Sequence, residues 1–129
     1  MPEAPQRILV VEDEADVASL LQARLEAQGF EVLIENEGRR AVEIAEDFRP
    51  DLVILDLMLL DTDGYRVSEG LRRSLSSCML PILMLTARAE SIDKLRGYGA
   101  GADAYLTKPY EAVELLSTVR RLLSDARRD

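Results

Sequence analysis

Three continuous apolar runs divide the sequence and restrict the folds open to it. They are Ile8–Val11, Leu52–Leu55 and Ile82–Leu85. A short apolar run without alternating polar residues is typical of a strand that is covered on both faces, as the strands of parallel sheets are. Strands are also predicted over Phe30–Ile34 and Ala104–Thr107. We therefore expect a five-stranded parallel sheet.

The segments between these runs have the periodicity of helices. From Ala15 to Gln28 apolar residues recur at helical spacing, and Gly29 stands where a helix C-cap is expected. Four further helices are predicted: Ala41–Phe48, about Tyr65–Ser74 after the turn Asp61–Gly64, about Ser91–Tyr98, and a last one over Val113–Leu123. Parallel neighbours need crossover connections, and these cover both faces of the sheet. The sequence thus predicts a doubly wound α/β fold.

Length and composition indicate one globular domain. The chain has 129 residues, of which 47% are hydrophobic, and we expect a single domain over residues 1–129 with its core at about 7–124. The net charge of −8 argues against direct nucleic acid binding by this domain. No signal peptide or membrane-spanning run is recognisable, and the single cysteine, Cys78, fits a reducing compartment. A cytoplasmic location is expected, without membrane attachment.

The complete absence of histidine limits the chemistry. It excludes a Ser-His-Asp triad, a histidine general base and histidine-ligated zinc or haem in this chain. Any reaction must therefore use carboxylates, hydroxyls and amines.

Polar residues follow the predicted strands where ligands bind in such folds. The acidic run Glu12–Glu14 follows the first strand, and Asp56, Thr86 and Lys108 end the third, fourth and fifth. Clustered carboxylates repel each other, and a hard oxygen-seeking cation such as Mg²⁺ offsets this. A hydroxyl and an ammonium opposite the acids suit a phosphoryl group. Asp56 is the candidate nucleophile, and its alternative role is that of a turn acid.

Four segments, taken together and in order, resemble the receiver domains of two-component response regulators. They are Ile8–Glu14, Pro50–Leu59 with Asp63-Gly64, Leu85–Arg88 and Gly101–Tyr110. The resemblance extends over nearly the whole chain. It implies a flavodoxin-like sheet with strand order 2-1-3-4-5 and five helices.

The resemblance also implies roles for the acids and the lysine. Asp56 would accept a phosphoryl group from the phosphohistidine of a sensor histidine kinase. Mg²⁺ would be bound by Asp13, Asp56 and the backbone carbonyl of Met58, with Glu12 holding the ion through water. Lys108 would contact the phosphoryl oxygens. The alternative for the acidic run is a solvated cluster at the start of the first helix, and it is preferred for Glu14. Asp13 could cap that helix but is assigned to the metal.

A conformational switch is implied as well. The Thr86 hydroxyl would move toward the phosphoryl group, and Tyr105 would turn inward. This would reshape the surface formed by the fourth helix, the fifth strand and the last helix. The peptide bond before Pro109 would be cis.

The chain departs from the family pattern in two places. Leu60 stands where a proline is common, so that a more mobile loop and an altered kinase-facing surface are expected. Ala104 and Thr118 stand where an ion pair often supports a homodimer through the switch surface. We expect the loss of this pair to weaken that dimer without excluding it, because individual rim ion pairs contribute little.

Two other functions stay open at this point. An aspartyl phosphatase would need a second acid two residues after the nucleophile, where this chain has Met58. A constitutive interaction module would not depend on phosphorylation at all. As a switch, the domain would catalyse only its own phosphorylation and dephosphorylation, and would control its output, such as transcription, through an effector domain beyond residue 129.

Overall fold

The computed structural model describes residues 4–75, 80–87 and 101–126. Five parallel strands form one sheet in the order β2-β1-β3-β4-β5. This confirms the predicted doubly wound α/β fold and its strand order. The strands are β1 Arg7–Val11, β2 Glu31–Glu35, β3 Leu52–Asp56, β4 Ile82–Thr86 and β5 Ala104–Thr107.

Helices connect these strands along the chain. They are α1 Ala15–Glu26, a 3₁₀ turn Gly38–Arg40, α2 Ala41–Phe48, α3 Gly64–Leu75 and the C-terminal helix Ala112–Ala126. The predicted helix at about Ser91–Tyr98 lies outside the described residues, as do Cys78 and Arg88. No helix in the described part of the chain is both long enough and apolar enough to cross a membrane.

Strand residues alternate between two apolar cores, one on each face of the sheet. Ile8 and Val10 point to the face covered by α1 and the C-terminal helix, whereas Leu9 and Val11 point to the face covered by α2 and α3. Since both faces are buried, every side chain of the central strands stabilises the fold by burial. A fully buried Leu, Ile or Val contributes about 1.5–3 kcal/mol. This explains why the central strands read as unbroken apolar runs.

Gly29 ends α1 in the way the sequence predicts. Its φ of 93° is left-handed, and its N–H donates to the carbonyl of Glu26 while the N–H of Phe30 donates to that of Leu25. These two hydrogen bonds form a Schellman motif. The chain then enters β2 one residue later than predicted, at Glu31, because Glu31 pairs with Arg7 at the start of β1.

The start of α3 is fixed against the end of β3. Asp63 Oδ1 accepts a hydrogen bond from the N–H of Arg66 at 2.9 Å, which is the expected N-cap contact. A Cβ on Gly64 would lie 2.8 Å from the carbonyl oxygen of Asp56. Only glycine therefore allows this approach, and it fixes the β3–α3 loop, residues 57–63, beside the carboxyl edge of the sheet.

Candidate functional site

Three charged side chains from β1, β3 and β5 meet at the carboxyl edge of the sheet. The Nζ of Lys108 lies 3.1 Å from Asp56 Oδ2 and 3.7 Å from Glu12 Oε1. Both carboxylates are buried, with 1% of Glu12 and 3% of Asp56 exposed. Glu12, Asp56 and Lys108 each stand two residues after a core residue of the same face, Val10, Ile54 or Leu106. Strand alternation therefore brings the three together.

Lys108 reaches Asp56 across an intervening strand. Because β4 lies between β3 and β5, the two backbones are about 10 Å apart, and a long side chain is needed to bridge them. The N–H of Lys108 donates to the carbonyl of Thr86 at 2.6 Å, which holds the lysine beside β4. Burial lowers the pKa of its ammonium, but the carboxylates of Asp56 and Glu12 more than offset this and raise the pKa above 10.5. The Lys108–Pro109 peptide bond is cis, the isomer that the resemblance implies.

Glu12 is the most perturbed acid of the cluster. Burial, together with the neighbouring carboxyl group of Asp56, raises its pKa from 4.5 to about 7. Its Oε2 accepts a hydrogen bond from the N–H of Glu14 at 3.1 Å. Its Oε1 is buried and has no hydrogen-bond partner among the described residues, although Lys108 lies close enough for an ion pair. This oxygen can accept a hydrogen bond from a water bound to a cation.

Asp13 contacts the β3–α3 loop instead of capping α1. Glu14 occupies the N-cap position of α1 and makes no side-chain cap hydrogen bond. Asp13 Oδ2 accepts a hydrogen bond from the backbone N–H of Leu60 at 2.6 Å. In the same loop, the N–H of Met58 donates to Asp56 Oδ1 at 2.9 Å. Two backbone amides of one loop therefore hold two acids from neighbouring strands.

The donor set at this edge fits Mg²⁺ that keeps part of its water shell. In residues 4–75, 80–87 and 101–126, no three His, Cys, Asp or Glu side chains are grouped so that they could hold a metal ion. Mg²⁺ is commonly bound by only one or two carboxylates together with waters. Asp13, Asp56 and the carbonyl of Met58 would supply such a set. The unpartnered Oε1 of Glu12 then suits a contact through water.

Thr86 and Tyr105 lie on the same face of neighbouring strands. Thr86 is fully buried and follows Leu85, the partner of Asp56 in the sheet register. Tyr105 pairs with Met84, two residues before Thr86, so that their side chains share a face. Tyr105 is half-buried, its hydroxyl is shielded from solvent, and its ring packs against the core beneath α2 and α3.

Sequence reasoning did not predict how the β3–α3 loop is held. Asp61 accepts hydrogen bonds from the backbone amides of Gly38 and Arg39, both at 3.0 Å. The hydrogen bond from Arg39, followed by that from Gly38, lowers the pKa of Asp61 even though burial opposes the change. The partners are more than 20 residues apart in the sequence. No local motif reveals this contact.

Comparisons with known proteins agree with this fold. The chain is 41% identical over 117 residues to the DNA-binding dual master transcriptional regulator RpaA of Synechocystis sp., covering 91% of this chain and 48% of that protein. It is 43% identical over 118 residues to the alkaline phosphatase synthesis transcriptional regulatory protein PhoP of Bacillus subtilis, covering 92% and 48%. The chain thus spans about half the length of these curated relatives.

A solved structure and a family match extend the comparison. The crystal structure of a putative response regulator from Chloroflexus aurantiacus superposes with a TM-score of 0.87 at 37% identity, covering 93% of this chain and 98% of that one. The response regulator receiver domain family matches residues 8–120. The chain therefore belongs to the family of response regulator receiver domains.

Proposed function

We propose that this domain is a phosphorylation-dependent switch that takes a phosphoryl group on Asp56 from the phosphohistidine of a sensor histidine kinase. The observation that supports this most directly is the buried contact of Asp56 with Lys108 at 3.1 Å, beside Glu12. An ammonium at that distance counters the charge that builds up as a phosphoryl group approaches the carboxylate.

The transfer needs no general base on this chain. An oxygen of the ionised Asp56 attacks phosphorus, a P–O bond forms, and the P–N bond of the donor phosphohistidine breaks with its electron pair going to the imidazole nitrogen. Met58 N–H and Lys108 Nζ orient the attacking carboxylate through its two oxygens. Mg²⁺ held by Asp13, Asp56 and the Met58 carbonyl would neutralise negative charge on the phosphoryl oxygens. Hydrolysis of the acyl phosphate later returns Asp56, so that catalysis is limited to the domain's own phosphorylation and dephosphorylation.

The signal would leave the site through Thr86 and Tyr105. Both side chains lie on one face of β4 and β5, which gives a hydroxyl drawn toward the phosphoryl group a direct route to the tyrosine. Reorientation of Tyr105 would change the exposed surface of β5 and the C-terminal helix. The predicted fourth helix, which completes this surface, lies outside the described residues.

Control of transcription is the proposed output, exerted through a segment beyond this domain. Both regulators described above are named as transcriptional regulators, and this chain spans only about half of each. A homodimer through the switch surface would lack one of its ion pairs. Ala104 is buried in the core beneath α1 and the C-terminal helix, and the hydroxyl of Thr118 donates to the carbonyl of Glu114 in its own helix.

Intact-mass measurement tests the proposal. The wild type should gain one phosphoryl group from a small acyl phosphate donor when Mg²⁺ is present, and none when EDTA replaces it. Asp56→Asn should gain none. Asp51→Asn is the matched control because Asp51 lies just before the same strand, at its opposite end, and should be phosphorylated like the wild type.

Two outcomes of that experiment, and one of a separate turnover assay, would contradict the proposal. An adduct that persists in Asp56→Asn would place the phosphoryl group on another residue. A folded wild type that gains no mass under any condition would favour the constitutive interaction module. Repeated turnover of a phosphate monoester would revive the phosphatase alternative, which Met58 disfavours because it stands where the second acid should be.

A further inference from the structure

We propose that the backbone amide of Leu60 positions Asp13 for Mg²⁺, a proposal that rests on the metal site of the proposed function. The amide donates to Asp13 Oδ2 at 2.6 Å and joins two loops that are 47 residues apart in the sequence. The side chain of Leu60 contributes little to packing, since 93% of the residue is exposed. The contribution of Leu60 to the site is therefore its N–H group.

A second amide of the loop makes the corresponding contact with the neighbouring acid. Met58 N–H donates to Asp56 Oδ1 at 2.9 Å, two residues before Leu60. Asp13 follows β1 and Asp56 ends β3, which are adjacent strands. The segment from Met58 to Leu60 thus binds one oxygen of each carboxylate and fixes the position of one relative to the other.

The loop itself is anchored, so that the Leu60 amide occupies a defined place. The N–H of Gly64 donates to the carbonyl of Leu57 at 2.9 Å and closes the loop at its base. At the outer end, Asp61 accepts hydrogen bonds from the amides of Gly38 and Arg39. A donor held from both sides can orient a side chain that reaches it.

The expected effect on Mg²⁺ binding follows from this arrangement. A hydrogen bond between an N–H and a carboxylate is charge-assisted and restricts the rotation of the carboxylate. With Oδ2 of Asp13 held by Leu60, Oδ1 stays available to the ion. Partners that orient a metal ligand typically change metal affinity by about 10- to 100-fold when they are removed. We expect the loss of this N–H to fall at the lower end of that range, about tenfold.

Two substitutions at residue 60 separate the effect of the backbone amide from the effect of the side chain. Leu60→Pro removes the N–H, whereas Leu60→Ala keeps the N–H and removes most of the exposed side chain. Mg²⁺ affinity is measured by isothermal titration calorimetry without any phosphodonor. Leu60→Pro should bind Mg²⁺ about tenfold more weakly than the wild type. Leu60→Ala should keep the wild-type affinity.

A backbone ester at residue 60 serves as the second variant in case Leu60→Pro does not fold. Replacing Leu60 by the corresponding α-hydroxy acid removes the donor without the proline ring, and should weaken Mg²⁺ binding in the same way. Equal or tighter binding by a folded variant without the donor would overturn the proposal. A wild type that binds no Mg²⁺ at all would instead refute the metal site of the proposed function.

The amide proton resonance of Leu60 gives an independent readout. In the metal-free wild type it should show the downfield shift of an amide bonded to a carboxylate, and it should keep that shift when Mg²⁺ is added. Asp13→Ala should lose the shift. Movement of the wild-type resonance to an unbonded position on Mg²⁺ binding would mean that the ion displaces the amide, and would overturn the proposal.

Discussion

Substitution of Glu12 by glutamine tests the electrostatics of the buried cluster. Glutamine resembles the protonated acid, since it keeps an oxygen that can accept the hydrogen bond from the N–H of Glu14. Burial and the carboxyl group of Asp56 raise the pKa of Glu12 to about 7 in the folded protein. In the unfolded chain Glu12 ionises near its ordinary pKa of 4.5. Folding therefore favours the protonated form.

The sign of the pH dependence follows from these two pKa values. Below pH 4.5 both states are protonated, and the stabilisation that the folded state gains from a neutral Glu12 is fully present. As the pH rises, the unfolded chain releases its proton first, and the stabilisation is lost by about pH 7. Each unit of pKa difference corresponds to about 1.4 kcal/mol. The free energy of unfolding should therefore fall by about 3 kcal/mol, mostly between about pH 4.5 and pH 7.

Urea unfolding in EDTA across that pH range measures the effect. The chain has no histidine, so that few other side chains titrate within this window. The free energy of unfolding of the wild type should decline relative to that of Glu12→Gln. Glu14→Gln changes an exposed carboxylate in the same loop, and its free energy of unfolding should decline with pH as that of the wild type does. If the curves of the wild type and Glu12→Gln run parallel, Glu12 is not protonated on folding and the reasoning is refuted.

Two further substitutions test how the fold positions the site. Gly64→Ala should lower the free energy of unfolding by about 1–3 kcal/mol, because its Cβ would lie 2.8 Å from the carbonyl oxygen of Asp56; urea unfolding measures this. Arg72→Met should lower the free energy of unfolding by about 2–3 kcal/mol in the same assay. Arg72 forms an ion pair with Asp103 and donates hydrogen bonds to backbone carbonyls around β4 and β5. Arg73→Met, the exposed neighbour, should change stability little; equal losses at both arginines would contradict this explanation.

Most of the fold could be predicted because each element carries its own local signal. The central strands read as apolar runs since both of their faces are buried. Gly29 predicted the end of α1, and a Schellman motif is found there. The edge strand β2 was predicted one residue early, because its exposed and buried positions mix and only its pairing with β1 fixes the register. The 3₁₀ turn at Gly38–Arg40 was missed because its amides are bound by Asp61, which is remote in sequence.

The sequence predicted that charged side chains gather at the carboxyl edge of the sheet, but it did not predict all of their contacts. Asp56, Glu12 and Lys108 could be placed at one edge, because the strands are parallel and end together. The contact of Asp13 could not be found in the same way. Its partner is the backbone N–H of Leu60. A leucine in place of the proline that is common at this position shows that a donor is present, but it does not show which acceptor the donor reaches. Backbone donors of this kind become visible only when the path of the loop is known.

The charge balance of the site explains why the proposed chemistry calls for a divalent cation. Two carboxylates, Asp56 and Glu12, lie within 4 Å of a single ammonium, that of Lys108. Burial, followed by the neighbouring carboxyl group of Asp56, raises the pKa of Glu12 even though Lys108 opposes the change. Transfer of a phosphoryl group would convert the Asp56 carboxylate, with one negative charge, into an acyl phosphate with about two, beside the carboxyl group of Glu12. Lys108 alone cannot balance these negative charges, and protonation of Glu12 removes only one of them. An ion held through Asp13 would supply the missing charge, so that the contact between Leu60 and Asp13 bears directly on whether Asp56 can react.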